Sequence, residues 1–287
     1  MSGQKPKRVG FVLYPGNTLL DFAGATQVFA SWATQGGWEP VWLGPAAASK
    51  FDAVDPAGAM PDPDWAVEFV PQDGGKPASI WTSENSSVIP QQAFCDPNGA
   101  PRDDLDLDII YVPGAGGAAV AAAMNDRRYM DFLGQFAGVS GPWVGAVCTG
   151  TFIIAAAGLL KGAKATTHWR LVPALPDLVE QGWIGAVPDG FPRSCIDTEH
   201  KRFSGGGVSS SIDLALALMA QFESGLETAN WSGLMIQYEP QLPEGVGRGN
   251  PLDHKLDGIT NQAMTSPGVT AAFYQPIADA VSRMART

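Results

Sequence analysis

The stretch from Pro142 to Leu160 limits most strongly what this chain can fold into. Its first part, residues 143–147, is a short apolar run that predicts a buried strand, and the part after Cys148 is rich in small residues and predicts a helix. A strand that ends at a nucleophile and turns directly into a helix is the arrangement of a nucleophile elbow. The pattern therefore predicts a reactive cysteine at the carboxyl end of a strand.

The chemistry of Cys148 follows from the helix that begins just after it. A helix N-terminus offers unpaired N–H groups and the positive end of the helix dipole, and both favour a thiolate. We therefore expect the pKa of the Cys148 thiol to be lowered. The alternative is a buried cysteine that acts as a small apolar residue, which is the commoner fate of a lone cysteine. The position at the joint favours the reactive cysteine.

Further strands and helices alternate along the chain. Apolar runs predict strands at Arg8–Tyr14, Trp38–Leu43 and Asp108–Val112, and helical spacing predicts helices at Leu20–Trp32 and Ala118–Ala137, the second with a break at Asn125–Asp126. This alternation predicts an α/β fold with a doubly wound, mainly parallel sheet and helices on both faces. Ligands of such sheets bind beyond the carboxyl ends of the strands.

Three chemical groups follow strand ends and are expected to meet at that edge. They are Asp21, the Gly116–Gly117 pair and Cys148. For Asp21 the alternative is a helix cap, a frequent role for an aspartate in the first turn. The glycine-rich loop at residues 113–117 permits close backbone approach to a ligand, but many strand–helix turns contain glycine. Its spacing does not match the dinucleotide or phosphate-loop motifs.

Composition excludes several functional classes. The formal net charge of −11 argues against a nucleic-acid partner and against binding to anionic membranes. Three widely spaced cysteines predict neither a disulfide framework nor a zinc site, and they favour a reducing compartment. No pair of histidines has metal-ligand spacing. We expect a cytoplasmic protein without a signal peptide, a membrane span, a metal or a cofactor.

The domain organisation is predicted as a single α/β domain over residues 1–287 with two additions. An insertion rich in Pro, Asp and Gly covers about residues 46–106, with possible short strands at Trp65–Val70 and Ser79–Trp81. So long a connection is unusual inside a compact domain. It either lines a pocket or an interface, or it is an irregular surface excursion. The second addition is a C-terminal extension at about residues 239–287, with a helix predicted near Thr270–Ala285.

Several motifs then suggest a family. In chain order they are Leu20–Asp21 with Gly24, Pro113–Gly114, Val147–Gly150, Ala155–Gly162, Ala165–Trp169, Gly205–Val208 with Ile212–Asp213, and Gln237–Pro240. The set resembles the DJ-1/PfpI superfamily and, within it, the isocyanide (isonitrile) hydratases. The resemblance runs across nearly the whole chain except the insertion. The Cys-Thr-Gly and Ala-Thr-Thr-His-Trp motifs are also similar to those of amidase-like sensor domains in AraC-type regulators.

The resemblance implies a flavodoxin-like fold, a homodimer and roles for particular residues. Cys148 would be the nucleophile, Asp21 its acidic partner, and Thr149 a hydrogen-bonding residue within the site. PfpI-type peptidases have histidine where this chain has Thr149, so the Cys–His pair of that branch is absent. The glyoxalase and chaperone-like branch would have glutamate where this chain has Asp21.

The resemblance also implies which residues bind substrate. The predicted substrate-binding or oxyanion-binding residues are Gly116, Gly117, Val208 and His168. The loop departs from the usual Pro-Gly-Gly of the family because Ala115 separates its glycines. For His168 the alternative is a hydrogen-bonded structural histidine.

The implied activity is that of a hydro-lyase acting on a small molecule. Water would add to an isocyanide through a thioimidate on Cys148, and an N-substituted formamide would be released. Two alternatives stay open at this point. One is a different cysteine enzyme of the superfamily, glyoxalase-like or an amide hydrolase. The other is a non-catalytic small-molecule sensor on the same fold.

Overall fold

A computed structural model describes residues 7–33, 37–48, 70–71, 77, 79–189, 192–222, 225–239 and 275–284. The strands are β1 (Lys7–Val12), β2 (Trp38–Gly44), β3 (Ala47–Ala48), β4 (Val70–Pro71), β5 (Ile80–Trp81), β6 (Ser87–Val88), β7 (Gln92–Ala93), β8 (Ile109–Val112), β9 (Trp143–Val147), β10 (Ser194–Asp197) and β11 (Arg202–Gly205). The helices are α1 (Leu19–Ala33), α2 (Gly117–Asn125), α3 (Arg127–Gly134), α4 (Gly150–Ala156), α5 (Leu175–Glu180), α6 (Ser210–Met219), α7 (Gly225–Met235) and α8 (Gln275–Met284).

The central sheet has seven strands in the order β10-β11-β9-β8-β1-β2-β7. All neighbouring strands are parallel except β10 and β11, which form an antiparallel pair at one edge. Strand order reverses between β1 and β8, because β2 lies on one side of β1 while β8, β9 and β11 follow on the other. Ligand sites of open α/β sheets form beyond the carboxyl ends of strands at such a reversal. The sequence prediction of a doubly wound, mainly parallel sheet is confirmed.

Helices cover both faces of this sheet. Side chains of β8 alternate between the faces, so that Ile109 and Tyr111 pack with α1, α6 and α7 while Ile110 and Val112 pack with α2, α3, α4, α5 and α8. Because β8 is buried on both faces, its sequence is continuously apolar rather than alternating.

The break predicted within the helix after β8 is confirmed at Asp126. This residue ends α2 and serves as the N-cap of α3, where its carboxylate accepts a hydrogen bond from the Arg128 N–H at 2.9 Å. A 3₁₀ turn at Val172–Ala174 precedes α5, as expected for a segment with prolines at 173 and 176.

The described part of the insertion has regular structure at three places. Strands β3 and β4 form a short antiparallel pair. Strand β7 extends the central sheet beyond β2, where Leu43 pairs with Gln92 and Gly44 pairs with Ala93. Strands β5 and β6 form a short hairpin. The predicted strand at Trp65–Val70 lies almost entirely outside the described residues, and so does most of the C-terminal extension before α8. In the portion of the chain that the structure describes, no helix is both long and apolar enough to cross a membrane.

Candidate active site

Cys148 lies on a sharp turn between β9 and α4. Its backbone has a φ of +58°, a conformation that costs a side-chain-bearing residue on the order of 1–3 kcal/mol and is therefore held by its neighbours. The Cys148 N–H donates to the Gly205 carbonyl at 2.9 Å, and the Cys148 carbonyl accepts from the Thr167 hydroxyl at 2.7 Å. The nucleophile elbow predicted from the sequence is present in the structure.

The carboxylate of Asp21 connects three separate parts of the chain at this point. Asp21 is fully buried in the first turn of α1. One oxygen accepts from the Gly114 N–H at 2.8 Å, the other accepts from the Val208 N–H at 2.6 Å, and the carboxyl group lies next to the Cys148 thiol. The helix-cap alternative for Asp21 is wrong, because these N–H donors belong to loops beyond β8 and β11 rather than to α1.

Burial sets the protonation of this pair. It raises the pKa of Asp21 to about 7, and the hydrogen bonds from the Gly114 and Val208 N–H groups only partly oppose that rise. Burial and then the negative charge of Asp21 raise the pKa of the Cys148 thiol well above its usual range. The Thr149 N–H and hydroxyl act in the opposite direction but do not outweigh these two causes.

The expectation of a lowered thiol pKa is therefore wrong. The start of α4 does lie next to the sulfur, but the thiol is buried beside an acidic group, and both burial and that group disfavour a second negative charge. At neutral pH the sulfur carries its proton, and the carboxyl beside it titrates near neutrality. The two groups are poised to pass one proton between them.

Thr149 fixes the loop after β8 onto the elbow. Its hydroxyl donates to the Ala115 carbonyl at 2.7 Å and accepts from the Ala115 N–H at 2.8 Å. A Cβ on Gly114 would lie 2.5 Å from the Cys148 Cβ and 2.7 Å from the Thr149 nitrogen, so only glycine permits this approach.

The contacts of this loop to the rest of the site come from the residues before the Gly116–Gly117 pair. Gly114 and Ala115 make the contacts to Asp21 and Thr149, while Gly116 is the N-cap of α2 and Gly117 is its first residue. The Thr18 N–H donates to the Gly114 carbonyl at 2.8 Å and holds this part of the loop against α1. Substrate or oxyanion binding by Gly116 and Gly117 stays a prediction.

The loop after β11 brings Gly207 and Val208 over the sulfur. Both have positive φ angles, +113° and +50°, and this turn aims the Val208 N–H at Asp21. A Cβ on Gly207 would lie 2.9 Å from the Cys148 sulfur. The Ser210 hydroxyl fixes the turn by accepting from the Gly207 N–H at 2.5 Å and donating to its carbonyl at 2.9 Å.

A pocket of about 230 Å³ opens beside this turn. It is lined by Thr167, His168, Trp169, Pro192, Arg193, Gly206, Gly207, Val208, Ser209 and Ser210. The structure thus places both Val208 and His168 in the pocket wall. Burial, together with the charge of Arg170, lowers the pKa of His168 to about 4, so its ring is neutral near pH 7. Its Nδ1 accepts from the Arg170 N–H at 3.4 Å.

Several contributors to the site were missed by sequence reasoning. Thr167 and Gly207 lie inside the Ala165–Trp169 and Gly205–Val208 motifs, and membership of these motifs was the available signal. No sequence pattern indicated that Ser210 would fix the turn at Gly207. Across the described ranges, no cluster of three or more His, Cys, Asp or Glu side chains could hold a metal ion.

The chain is similar to known proteins of two kinds. The chain is 39% identical to the isonitrile hydratase of Pseudomonas putida over 240 residues, which cover 84% of this chain and 82% of that protein. It is also 28% identical to the HTH-type transcriptional regulator GbdR of Pseudomonas aeruginosa over 188 residues, which cover 64% of this chain and 44% of the regulator.

Solved structures show the same fold. A THiJ/PfpI family protein from Pseudomonas syringae has a TM-score of 0.63 at 21% identity, with 99% of this chain and 92% of that chain covered. DJ-1beta from Drosophila melanogaster has a TM-score of 0.57 at 14% identity, with 82% of this chain and 99% of that chain covered. The family model described as the DJ-1/PfpI family matches residues 43–221. The chain, with its flavodoxin-like fold and its cysteine elbow, belongs to the DJ-1/PfpI family.

Proposed function

We propose that this protein hydrates isocyanides to N-substituted formamides, with Cys148 as the nucleophile and Asp21 as the proton carrier. The observation that carries the proposal is the buried Asp21 carboxyl beside the Cys148 thiol, with both carboxyl oxygens held by backbone N–H groups. The 39% identity to an isonitrile hydratase supports it.

The first step forms a carbon–sulfur bond. As the Cys148 sulfur attacks the terminal carbon of the isocyanide, its proton moves to Asp21, and Asp21 delivers that proton to the same carbon. The product is a thioimidate in which the former isocyanide carbon carries one hydrogen and the sulfur. Asp21 returns to the carboxylate, so the step is redox-neutral and needs no cofactor.

The second step consumes water. The Asp21 carboxylate accepts a proton from a water molecule as the water oxygen adds to the thioimidate carbon, and Asp21 then passes this proton to the nitrogen, which returns Asp21 to the carboxylate. The resulting hydroxyl proton then moves through Asp21 to the sulfur as the carbon–sulfur bond breaks. The formamide leaves, and the Cys148 thiol is restored.

The proton affinities of the site suit both steps. A general acid–base group works best when its pKa lies near the working pH, and burial brings the pKa of Asp21 to about 7. A protonated thiol suits the first step, because the isocyanide carbon must receive a proton as well as the sulfur nucleophile. The adjoining pocket, lined by Trp169 and Val208, can hold the organic substituent of the substrate.

A non-catalytic sensor is the second candidate, and one observation favours it. The similarity to the GbdR regulator extends over 188 residues, so this scaffold also occurs within transcriptional regulators. A sensor would bind the small molecule in the same pocket without releasing a formamide.

The test is incubation of the protein with n-butyl isocyanide and detection of N-butylformamide by mass spectrometry. We expect catalytic turnover by the wild type and none by C148A. We expect a loss of roughly 100-fold or more for D21N, the usual size of a lost acid–base group. Stoichiometric binding without formamide would support the sensor instead. An unchanged rate in C148A would contradict the mechanism.

A further inference from the structure

The β5–β6 hairpin of the insertion lies against the start of the helix that carries Asp21. Glu84, in the turn of this hairpin, accepts a hydrogen bond from the Leu19 N–H through its Oε2 at 2.9 Å. The neighbouring Ser83 hydroxyl donates to Glu84 Oε1 at 2.9 Å, so both carboxylate oxygens are engaged. Glu84 therefore satisfies a free N–H group in the first turn of α1, two residues before Asp21.

Further contacts tie this hairpin to the loop before α1. The Gly16 N–H donates to the Trp81 carbonyl at 2.7 Å, and the Ser83 N–H donates to the Asn17 carbonyl at 3.0 Å. Asn17 also bridges to Ala115, in the loop whose Gly114 N–H holds Asp21. The insertion is thus part of the backbone framework around the acid of the site.

The charge of Glu84 also acts on Asp21. Desolvation is the largest cause of the raised pKa of Asp21, and the negative charge of Glu84 raises it further. The other titratable groups that interact with Asp21 are Cys148 on the elbow, Tyr14 after β1 and Tyr111 on β8. On α6, which packs against α1, Asp213 forms an ion pair with Arg193. Glu84 is the member of this group that comes from the insertion, and its carboxylate is exposed to solvent.

We propose that Glu84 is a positioning residue for Asp21: its carboxylate holds the first turn of α1, and the hairpin around it fixes the two loops next to Asp21. This assigns a role to the insertion that goes beyond packing. A merely structural Glu84 would affect stability, whereas this role also predicts an effect on the titration of the Asp21–Cys148 pair.

The test compares pH profiles of E84Q and the wild type at low ionic strength. Glutamine keeps the size and an oxygen acceptor but removes the charge, so the pKa of Asp21 should fall. We expect the acidic limb of kcat/KM to move to lower pH by about 0.3 unit, the effect of one solvent-screened charge. The shift should shrink at about 1 M salt.

A second measurement does not depend on isocyanide turnover, on which the rate profile rests. The pH dependence of Cys148 alkylation by iodoacetamide, located by peptide mass spectrometry, reports the coupled titration of Cys148 and Asp21. E84Q should shift this profile in the same direction. The proposal for Glu84 can therefore hold or fail even if no formamide is formed.

Two variants serve as controls. E199Q makes the same charge change on an exposed glutamate in the β10–β11 turn, at the opposite edge of the sheet, and should shift neither profile. E84D keeps the charge with a shorter reach and should retain the wild-type profile, even if its thermal midpoint falls. Profiles of E84Q that coincide with those of E199Q, or an E84D profile shifted as far as that of E84Q, would overturn the proposal.

Discussion

At the scale of single residues, the site depends on close backbone approaches that only glycine allows. Gly114 and Gly207 contact the elbow from two sides, and each would place a Cβ within 2.9 Å of Cys148 atoms. The N–H groups of Gly114 and Val208 can then reach the Asp21 carboxylate. The acid is thus held by backbone groups, whose positions do not depend on side-chain rotamers.

This arrangement predicts opposite outcomes for two glycines of the same loop. In G114A the new Cβ collides with the Cys148 Cβ and the Thr149 nitrogen, so the loop must move and the hydrogen bond to Asp21 weakens. We expect kcat/KM for formamide production to fall by about 100-fold, as when a positioned donor is lost. Steady-state kinetics with n-butyl isocyanide measures this change.

G116A is the matched control for that change. No atom lies within 4 Å of the Cβ it introduces, and Gly116 is only the N-cap of α2. We expect a cost in stability of at most about 1 kcal/mol, because alanine is a poorer N-cap than glycine. The rate should be nearly unchanged, because the new Cβ displaces nothing in the site. A G116A enzyme as impaired as G114A would show that Gly116 acts in the site as the sequence suggested.

At the scale of elements, short local signals place the helices and strands correctly. The acidic residue after Asn125 predicts a break, and Asp126 does cap α3. The same carboxylate also forms an ion pair of 2.5 Å with Arg128, whose side chain is fully buried. The start of α3 therefore combines a helix cap with a buried charge pair.

D126A should destabilise the fold without changing the chemistry of the site. It removes the N-cap and leaves the buried Arg128 without this carboxylate, for which we expect a loss of about 3 kcal/mol in the free energy of unfolding. Urea denaturation measures the loss. D131N, on the exposed side of the same helix, should stay within about 0.5 kcal/mol of the wild type. An equal effect of both variants would refute this assignment.

At the scale of the whole molecule, the sequence predicts the topology better than the electrostatics. The α/β order, the elbow and the meeting of Asp21 with Cys148 follow from local patterns and from the rule that parallel strands end at one edge. The raised pKa values do not, because burial of Asp21 and Cys148 arises from packing between distant segments. Glu84 shows the same limit, since it lies 65 residues from the N–H group that it binds. The implied homodimer and cytoplasmic location stay predictions.

The raised pKa of Asp21 predicts a pH-dependent stability. The folded state holds the Asp21 proton up to about pH 7, while the unfolded state releases it near 3.8. The proton therefore stabilises the fold fully below about pH 4, and this contribution is lost as the pH rises to 7, with a total of about 4 kcal/mol.

Comparison of D21N with the wild type isolates this contribution. Asparagine does not titrate, so the free energy of unfolding of the wild type should fall relative to that of D21N between pH 4 and pH 7 and then run parallel to it. Denaturant unfolding at a series of pH values measures the difference. Curves that stay parallel throughout this range would show that Asp21 is not a buried, raised-pKa acid.

The most direct test of the central claim is mass spectrometry of the protein quenched during turnover of n-butyl isocyanide. We predict an adduct that increases the protein mass by one isocyanide molecule, located on the peptide that contains Cys148 and absent from C148A. Formamide production without such an adduct, or an adduct on Cys95 or Cys195 alone, would contradict a Cys148 thioimidate.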